Sequence, residues 1–125
     1  KAMKLKGTKF ERLLIEELWN KGFAAIRTAG SGVASYPSPD IVAGNGKKFL
    51  AIEVKMRASL PLYISEDELK ELVMFANLFG AEAYIALKLP RKNWKFFSID
   101  KLEKTKRGYR ISQENYPLGL DITEF

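Results

Sequence analysis

The sequence predicts an α/β domain with a central mixed sheet of about five strands flanked by helices. Two segments carry apolar residues at helical spacing and stop at a glycine, Gly22 and Gly80. Between and after them lie short runs rich in Val, Ile, Phe and Tyr, two of them joined by an Asn45-Gly46 turn. The 125 residues, 46% hydrophobic and 29% charged, suit one domain, 1–125, with no linker.

Composition narrows the chemistry before any motif is read. Lys and Arg outnumber Asp and Glu by 21 to 15, a formal charge of +6 that favours an anionic partner such as nucleic acid. The chain has no His and no Cys, which removes zinc sites, thiol nucleophiles, disulfides and an imidazole base. A metal here must sit among oxygen ligands, which points to Mg²⁺, with Mn²⁺ as a substitute. No apolar run approaches the ~18 residues needed to cross a bilayer, and the basic stretch 1–9 is not followed by the apolar core of a signal peptide. A soluble protein of the reducing cytoplasm fits these features, and no membrane partner is expected.

In chain order, residues 7–20 read as an amphipathic helix with Phe10, Leu13, Leu14, Ile15, Leu18 and Trp19 on a broad apolar arc. At about 100° per residue, Glu11 falls inside that arc while Arg12 and Glu16 fall outside it. Glu11 therefore either faces the body of the protein as a site residue or simply complements the helix N-terminus. Glu17 touches the arc's edge as well, so the helix alone does not choose. Residues 23–28 alternate as a strand carrying Arg27. The small-residue loop 29–38 follows, and its place directly before Asp40 favours contact with a substrate. Ser31 in it suits hydrogen bonding to a phosphate, not nucleophilic attack, since no His is present to activate it.

Residues 40–43 and 49–55 form the hairpin strands about the Asn-Gly turn. Period-two alternation puts Leu50, Ile52 and Val54 on one face and Ala51, Glu53 and Lys55 on the other. Antiparallel pairing brings Asp40 toward Glu53, so two carboxylates and an ammonium converge among core-type residues. Such carboxylates are costly to bury unless paired, and a bound cation is an economical partner. A cross-strand salt bridge is the plainer alternative.

After a loop over 57–63, Ser65 and Glu68 have the spacing of a capping box, and Ile64 with Leu69 that of a hydrophobic staple. The helix they open ends at Gly80, and its apolar residues cover more than the ~100° needed to pack on one sheet. Either it is buried within one domain or it meets the same helix of a second subunit, with Phe75 and Phe79 as anchors. Strands follow over 82–89 and 94–99, separated by a basic turn. The basic stretch 100–110 is either a track for a nucleic-acid backbone or a solvated face. The tail 120–125 bears a distant likeness to the hydrophobic-aromatic peptides that dock on sliding clamps, with Gly119 where such peptides usually carry Gln.

A glutamate on the first helix, Pro39-Asp40, and Glu53-Val54-Lys55 on a strand suit phosphodiester hydrolysis. One or two Mg²⁺ ions held by carboxylates neutralise phosphoryl oxygens and activate water, while Lys55 either orients or deprotonates that water and stabilises charge at phosphorus. At these residues the chain resembles the PD-(D/E)xK nuclease superfamily, whose fold is restriction-endonuclease-like, and within it the archaeal Holliday junction resolvases. The closer resemblance rests on Lys6-Gly7 with Glu11-Arg12, Gly22-Phe23 with Arg27, Gly30-Ser31-Gly32, Pro39-Asp40-Ile41-Val42-Ala43 and the stretch 75–80, and spans about residues 6–99.

The resemblance implies a structure-specific endonuclease that cuts a four-way DNA junction symmetrically as a homodimer. It implies that Glu11, Asp40, Glu53 and the Val54 carbonyl bind the metal, that Lys55 acts in catalysis, and that Arg12, Arg27 and Ser31 lie near the scissile phosphate. Lys6 and Arg57 are expected among the DNA contacts, and Phe75 and Phe79 at the dimer interface. Rival readings are a restriction-type or repair nuclease of the same superfamily, and a DNA-structure-binding module whose carboxylates only support the fold.

Overall fold

The computed structural model describes the backbone of residues 2–28 and 36–125, and the side chains of 9–28 and 36–125. Helix α1 (Ala2–Asn20) leads through Gly22, at φ 93°, into strand β1 (Ala24–Arg27). The hairpin of β2 (Ile41–Gly44) and β3 (Phe49–Met56) follows, then β4 (Leu62–Ser65), α2 (Glu66–Phe79), β5 (Glu82–Lys88) and β6 (Lys95–Ser98). Two short strands, β7 (Glu103–Lys104) and β8 (Gly108–Ile111), precede a tail of 3-10 turns.

Five strands form the central sheet in the order β1-β2-β3-β5-β6. Only β3 and β5 run parallel, joined by the crossover through α2, so the sheet is mixed as predicted. Both faces are covered. Leu50, Ile52 and Val54 pack with Leu14 and Leu18 of α1, whereas Ala51, Ile85, Leu87 and Phe97 pack with Leu69, Leu72 and Ala76 of α2. The alternation read from the sequence thus separates two cores.

The structure departs from the sequence reading in several places. Helix α1 starts five residues earlier than position 7, and its buried stripe is narrower: Leu14 and Leu18 are buried, while Leu13 and Trp19 are exposed. Trp19 instead anchors through its indole N–H, which donates to the Ala25 carbonyl at 3.0 Å. The predicted loop 57–63 contains the start of β4, which pairs with β8 and β7 in a second, antiparallel sheet of three strands. Gly108 is required there, because a Cβ at that position would lie 2.3 Å from the Ile64 carbonyl oxygen. The basic stretch belongs to this small sheet. Arg110 pairs with Glu103 at 2.9 Å, Lys104 with Glu66 at 3.7 Å and Lys101 with Asp100 at 3.5 Å, so much of its charge is met within the chain.

The ends of α2 follow its sequence signals. Ser65 accepts the Glu68 N–H at 3.1 Å, Ile64 and Leu69 share a core, and Gly80 closes the helix at φ 86°. The capping box is only half made, since the Glu68 carboxylate turns to Lys55 and not back to Ser65. The tail, read as a clamp-docking peptide, packs on its own domain. Leu120 bridges to Phe96, and the Phe125 ring sits 5.0–6.0 Å from those of Phe23, Tyr84 and Phe96.

Candidate active site

The Asn-Gly turn fixes the register on which the site depends. Asn45 Oδ1 accepts the N–H groups of Lys47 and Lys48 at 2.9 and 2.7 Å, Gly46 takes φ 91°, and Ile41 stands opposite Ile52. Just ahead of β2, Asp40 lies beside Ile41 against Ile52, and its carboxylate reaches along β3 toward Val54 and Glu53. The Asp40 main chain is clamped from both sides, its N–H donating to the Ile52 carbonyl at 3.0 Å and its carbonyl accepting from Thr28 at 2.9 Å. Thr28 Oγ also donates to the Pro39 carbonyl, as does Ser38 Oγ at 3.2 Å. The Pro39-Asp40 pair is therefore rigid where it leaves the sheet.

Asp40 Oδ2 accepts the Val54 N–H at 2.8 Å. Along an edge of β3 the N–H and C=O of alternate residues point the same way, so the Val54 carbonyl faces the space beyond the start of β2, beside Asp40. The Glu53 and Asp40 carboxyls are close enough for each to act on the other's protonation. Burial, and then the nearby Asp40 charge, push the Glu53 carboxyl up to about 8. Burial raises Asp40 as well, against the lowering effect of the Val54 N–H. Two carboxylates held this close in a partly dry setting share a proton unless a cation replaces it. Two carboxylates and a main-chain carbonyl form an all-oxygen donor set suited to Mg²⁺ or Mn²⁺.

Lys55, one residue beyond Val54, points to the same face as Glu53, and its ammonium donates to Glu68 Oε2 of α2. The sequence marks Glu68 only as a capping residue. Its carboxylate belongs to the same cluster and bears on both Asp40 and Glu53. Its spacing from Ser65 is visible in the sequence, but the crossing of α2 over β3 that aims it at Lys55 is not.

Glu11 approaches from the opposite side. Arg27 stands across from Ile41, which points into the α1 core, and Glu11 Oε1 accepts from Arg27 Nε at 2.8 Å on that face. Burial raises the Glu11 carboxyl and the Asp40 charge raises it further, while Arg27 opposes both. Among the described residues no three carboxylates close into a metal-sized group, so the expected cluster of Glu11, Asp40 and Glu53 is brought to one sheet end without being joined. Glu17, the other candidate on α1, is half-buried beside Lys88, and burial raises its carboxyl.

Of the expected DNA contacts, Arg12 is exposed on α1 beside Glu11, and Arg57 is exposed just past β3 at the Lys55 end. The Lys6 side chain and all of Ser31 lie outside the described residues. Phe75 and Phe79 stack with centroids 5.1 Å apart; Phe75 is partly buried against the α2 core, while Met74 is 50%, Leu78 85% and Phe79 57% exposed.

Comparison with known proteins places this geometry. Residues 2–125 match the family model described as archaeal Holliday junction resolvase (Hjc). The chain is 64% identical over 122 residues to the crossover junction endodeoxyribonuclease Hjc of Archaeoglobus fulgidus, covering 98% of this chain and 90% of that one. It is 33% identical to the enzyme of the same name from Sulfurisphaera tokodaii, covering 97% and 85%. Its fold superposes on the solved structure of Archaeoglobus fulgidus Hjc, a Holliday junction resolvase from an archaeal hyperthermophile, with a TM-score of 0.91 and 62% identity, covering 94% of this chain and 97% of that one. With its mixed five-stranded sheet and the Asp40, Glu53 and Lys55 cluster at the sheet end, the chain belongs to the archaeal Holliday junction resolvase family.

Proposed function

We propose that residues 1–125 form one nuclease domain, a Mg²⁺-dependent endodeoxyribonuclease that resolves four-way DNA junctions in recombination and repair. The observation that carries this reading is the convergence of Asp40, Glu53 and Lys55 at one sheet end, with the Glu53 carboxyl pushed up to about 8 beside Asp40. Asp40, Glu53 and the Val54 carbonyl would hold the metal, with Glu11 drawn in from the α1 face. When bound, the metal supplies Lewis-acid activation of water and neutralises phosphoryl charge.

The chain's own groups do the rest. Lys55, with its side chain only 16% exposed, donates from its ammonium to a phosphoryl oxygen as negative charge accumulates there. A water–phosphorus bond forms, the bond from phosphorus to the leaving deoxyribose oxygen breaks, and the proton lost by the water is matched by one taken up at the leaving oxygen. Arg27 and Arg12 neutralise the phosphates flanking the cut, Arg27 while orienting Glu11. Lys6, Arg57 and Ser31 complete the phosphate contacts in this reading, and the net charge of +6 draws the polyanion in.

Two such sites acting on opposed strands require a homodimer, and the apolar outer side of α2 around Phe75 and Phe79 supports one. A sliding clamp that took the tail would first have to lift Phe125 from Phe23, Tyr84 and Phe96, so the tail is assigned to the fold. Among the described residues no helix is long and apolar enough to cross a membrane, and the proposed place of action is the nucleoid in the cytoplasm.

The test is incubation with an immobile four-way junction in Mg²⁺ or EDTA, followed by mapping of the cuts. Paired, symmetry-related cuts that need Mg²⁺ are expected. Equal cutting of linear duplex would favour a restriction-type or repair nuclease.

A further inference from the structure

Glu68 is engaged twice, and the two engagements use different atoms. Its N–H donates to Ser65 Oγ at 3.1 Å and caps α2, while its carboxylate reaches across to β3 and accepts from the Lys55 ammonium. The carboxylate is thus free of the return bond that a capping box would require of it. The pair is largely sheltered, with 16% of the Lys55 side chain and 32% of the Glu68 side chain exposed. A lysine has four rotatable bonds and gains little from its scaffold alone, so a fixed acceptor decides where its ammonium rests. Among the described residues Lys55 donates to no other group than Glu68.

We propose that Glu68 is the positioning residue for Lys55. It holds the ammonium on the α2 side of β3, level with the Asp40–Glu53 pair, and the capped first turn of α2 fixes the carboxylate in turn. The same helix carries Met74, Leu78 and Phe79 on its exposed side, so a shift of α2 at a subunit contact would reach Lys55 through Glu68. The inference rests on the reading of Lys55 as the group that meets the phosphoryl oxygens.

The experiment compares Glu68→Ala, Glu68→Gln and Lys55→Ala in the full chain, on an immobile four-way junction with Mg²⁺ at saturating enzyme. Glu68→Ala keeps the main-chain cap, so the melting temperature should move by only a few degrees. Its single-turnover cleavage rate should fall about 10- to 100-fold, with the junction dissociation constant unchanged. Glu68→Gln still offers an oxygen to the ammonium and should recover most of the rate. A metal-free readout accompanies these: the Lys55 side-chain ¹⁵N signal should be observable in the native protein and broaden away in Glu68→Ala. Native cleavage by Glu68→Ala, or a loss equal in Glu68→Ala and Glu68→Gln, would overturn the proposal while leaving the nuclease reading intact. Native cleavage by Lys55→Ala would overturn the proposal together with the reading of Lys55 as the group that meets the phosphoryl oxygens.

Discussion

The Val54 N–H points at Asp40 Oδ2 from 2.8 Å, so the strand that supplies Glu53 and Lys55 also aims the carboxylate of its neighbour. Replacing Asp40 with Asn preserves shape and leaves an oxygen to accept that N–H, while removing a charge that bears on Glu53. The Asp40→Asn protein should fold normally and melt no lower than the native chain at pH 8. Its Mg²⁺-dependent junction cleavage should fall about 1,000-fold or more, because one charged oxygen ligand of a divalent cation is gone. Cleavage within tenfold of native in a gel assay would remove Asp40 from the chemistry.

The raised Glu53 carboxyl gives the metal-free protein a defined pH dependence. Its ordinary value of 4.5 rises to about 8 in the fold, so the folded chain keeps a proton that the unfolded chain releases. The stabilising contribution is complete below about pH 4.5 and is lost as pH rises toward about 8. Asp40 and Glu11 are raised also and act with the same sign. Melting in EDTA should therefore occur at a temperature lower by roughly 5 °C or more at pH 8 than at pH 5, given that about 1 kcal/mol moves the midpoint of a domain this size by several degrees. Glu53→Gln should flatten the slope, and an unchanged slope in that variant would place the effect elsewhere.

Mg²⁺ binding must displace the same proton. Apparent affinity should rise with pH up to about 8, approaching tenfold per unit where one proton is exchanged. Calorimetric titration in two buffers of different ionisation heat should register proton release below pH 8 and little above it. Glu53→Gln should bind weakly with no buffer dependence.

Which parts were legible follows from what each depends on. The two ends of α2 were readable because Ser65 and Gly80 act within a few residues of their own positions. The nearness of Asp40 to Glu53 was readable because the Asn45-Gly46 turn sets the β2–β3 pairing by counting, up to Ile41 opposite Ile52. The small sheet was not, since β4 gains its partner only when Gly108, more than forty residues later, comes against Ile64. Ser65 ends a strand and caps a helix at once, and only the helix signal is local. Glu11 shows the limit from the other side. Periodicity turns it toward the body of the protein, but its meeting with Arg27 on the α1 face depends on how α1 crosses β1.

The proposed homodimer makes its own prediction at α2. Phe75 and Phe79 stack, and Leu78 beside them is 85% exposed, an arrangement unfavourable in water unless covered. Phe75→Ala with Phe79→Ala should raise the dimer dissociation constant about 100-fold, as expected when two aromatic anchors are truncated. Sedimentation at micromolar concentration should then report monomer, and the two strand cuts should become independent events. An unchanged mass would move the interface off this helix.

The tail makes the last prediction, and it separates a structural role from a docking one. Phe125 meets the edges of Phe23, Tyr84 and Phe96, with interplanar angles of 71°, 87° and 74°, and Lys48 lies 5.4 Å above its ring. Such a site gains from burial and from edge-to-face contact. Phe125→Ala removes both and should destabilise the fold by about 2 kcal/mol, less than a fully buried phenylalanine because the ring is only partly covered. Thermal melting should show a drop of several degrees, while junction cleavage at 25 °C stays near native, since the tail packs on the face opposite Glu53 and Lys55. If melting were unaffected by this change, the ring would not hold its place in solution and the tail would again be available to a partner.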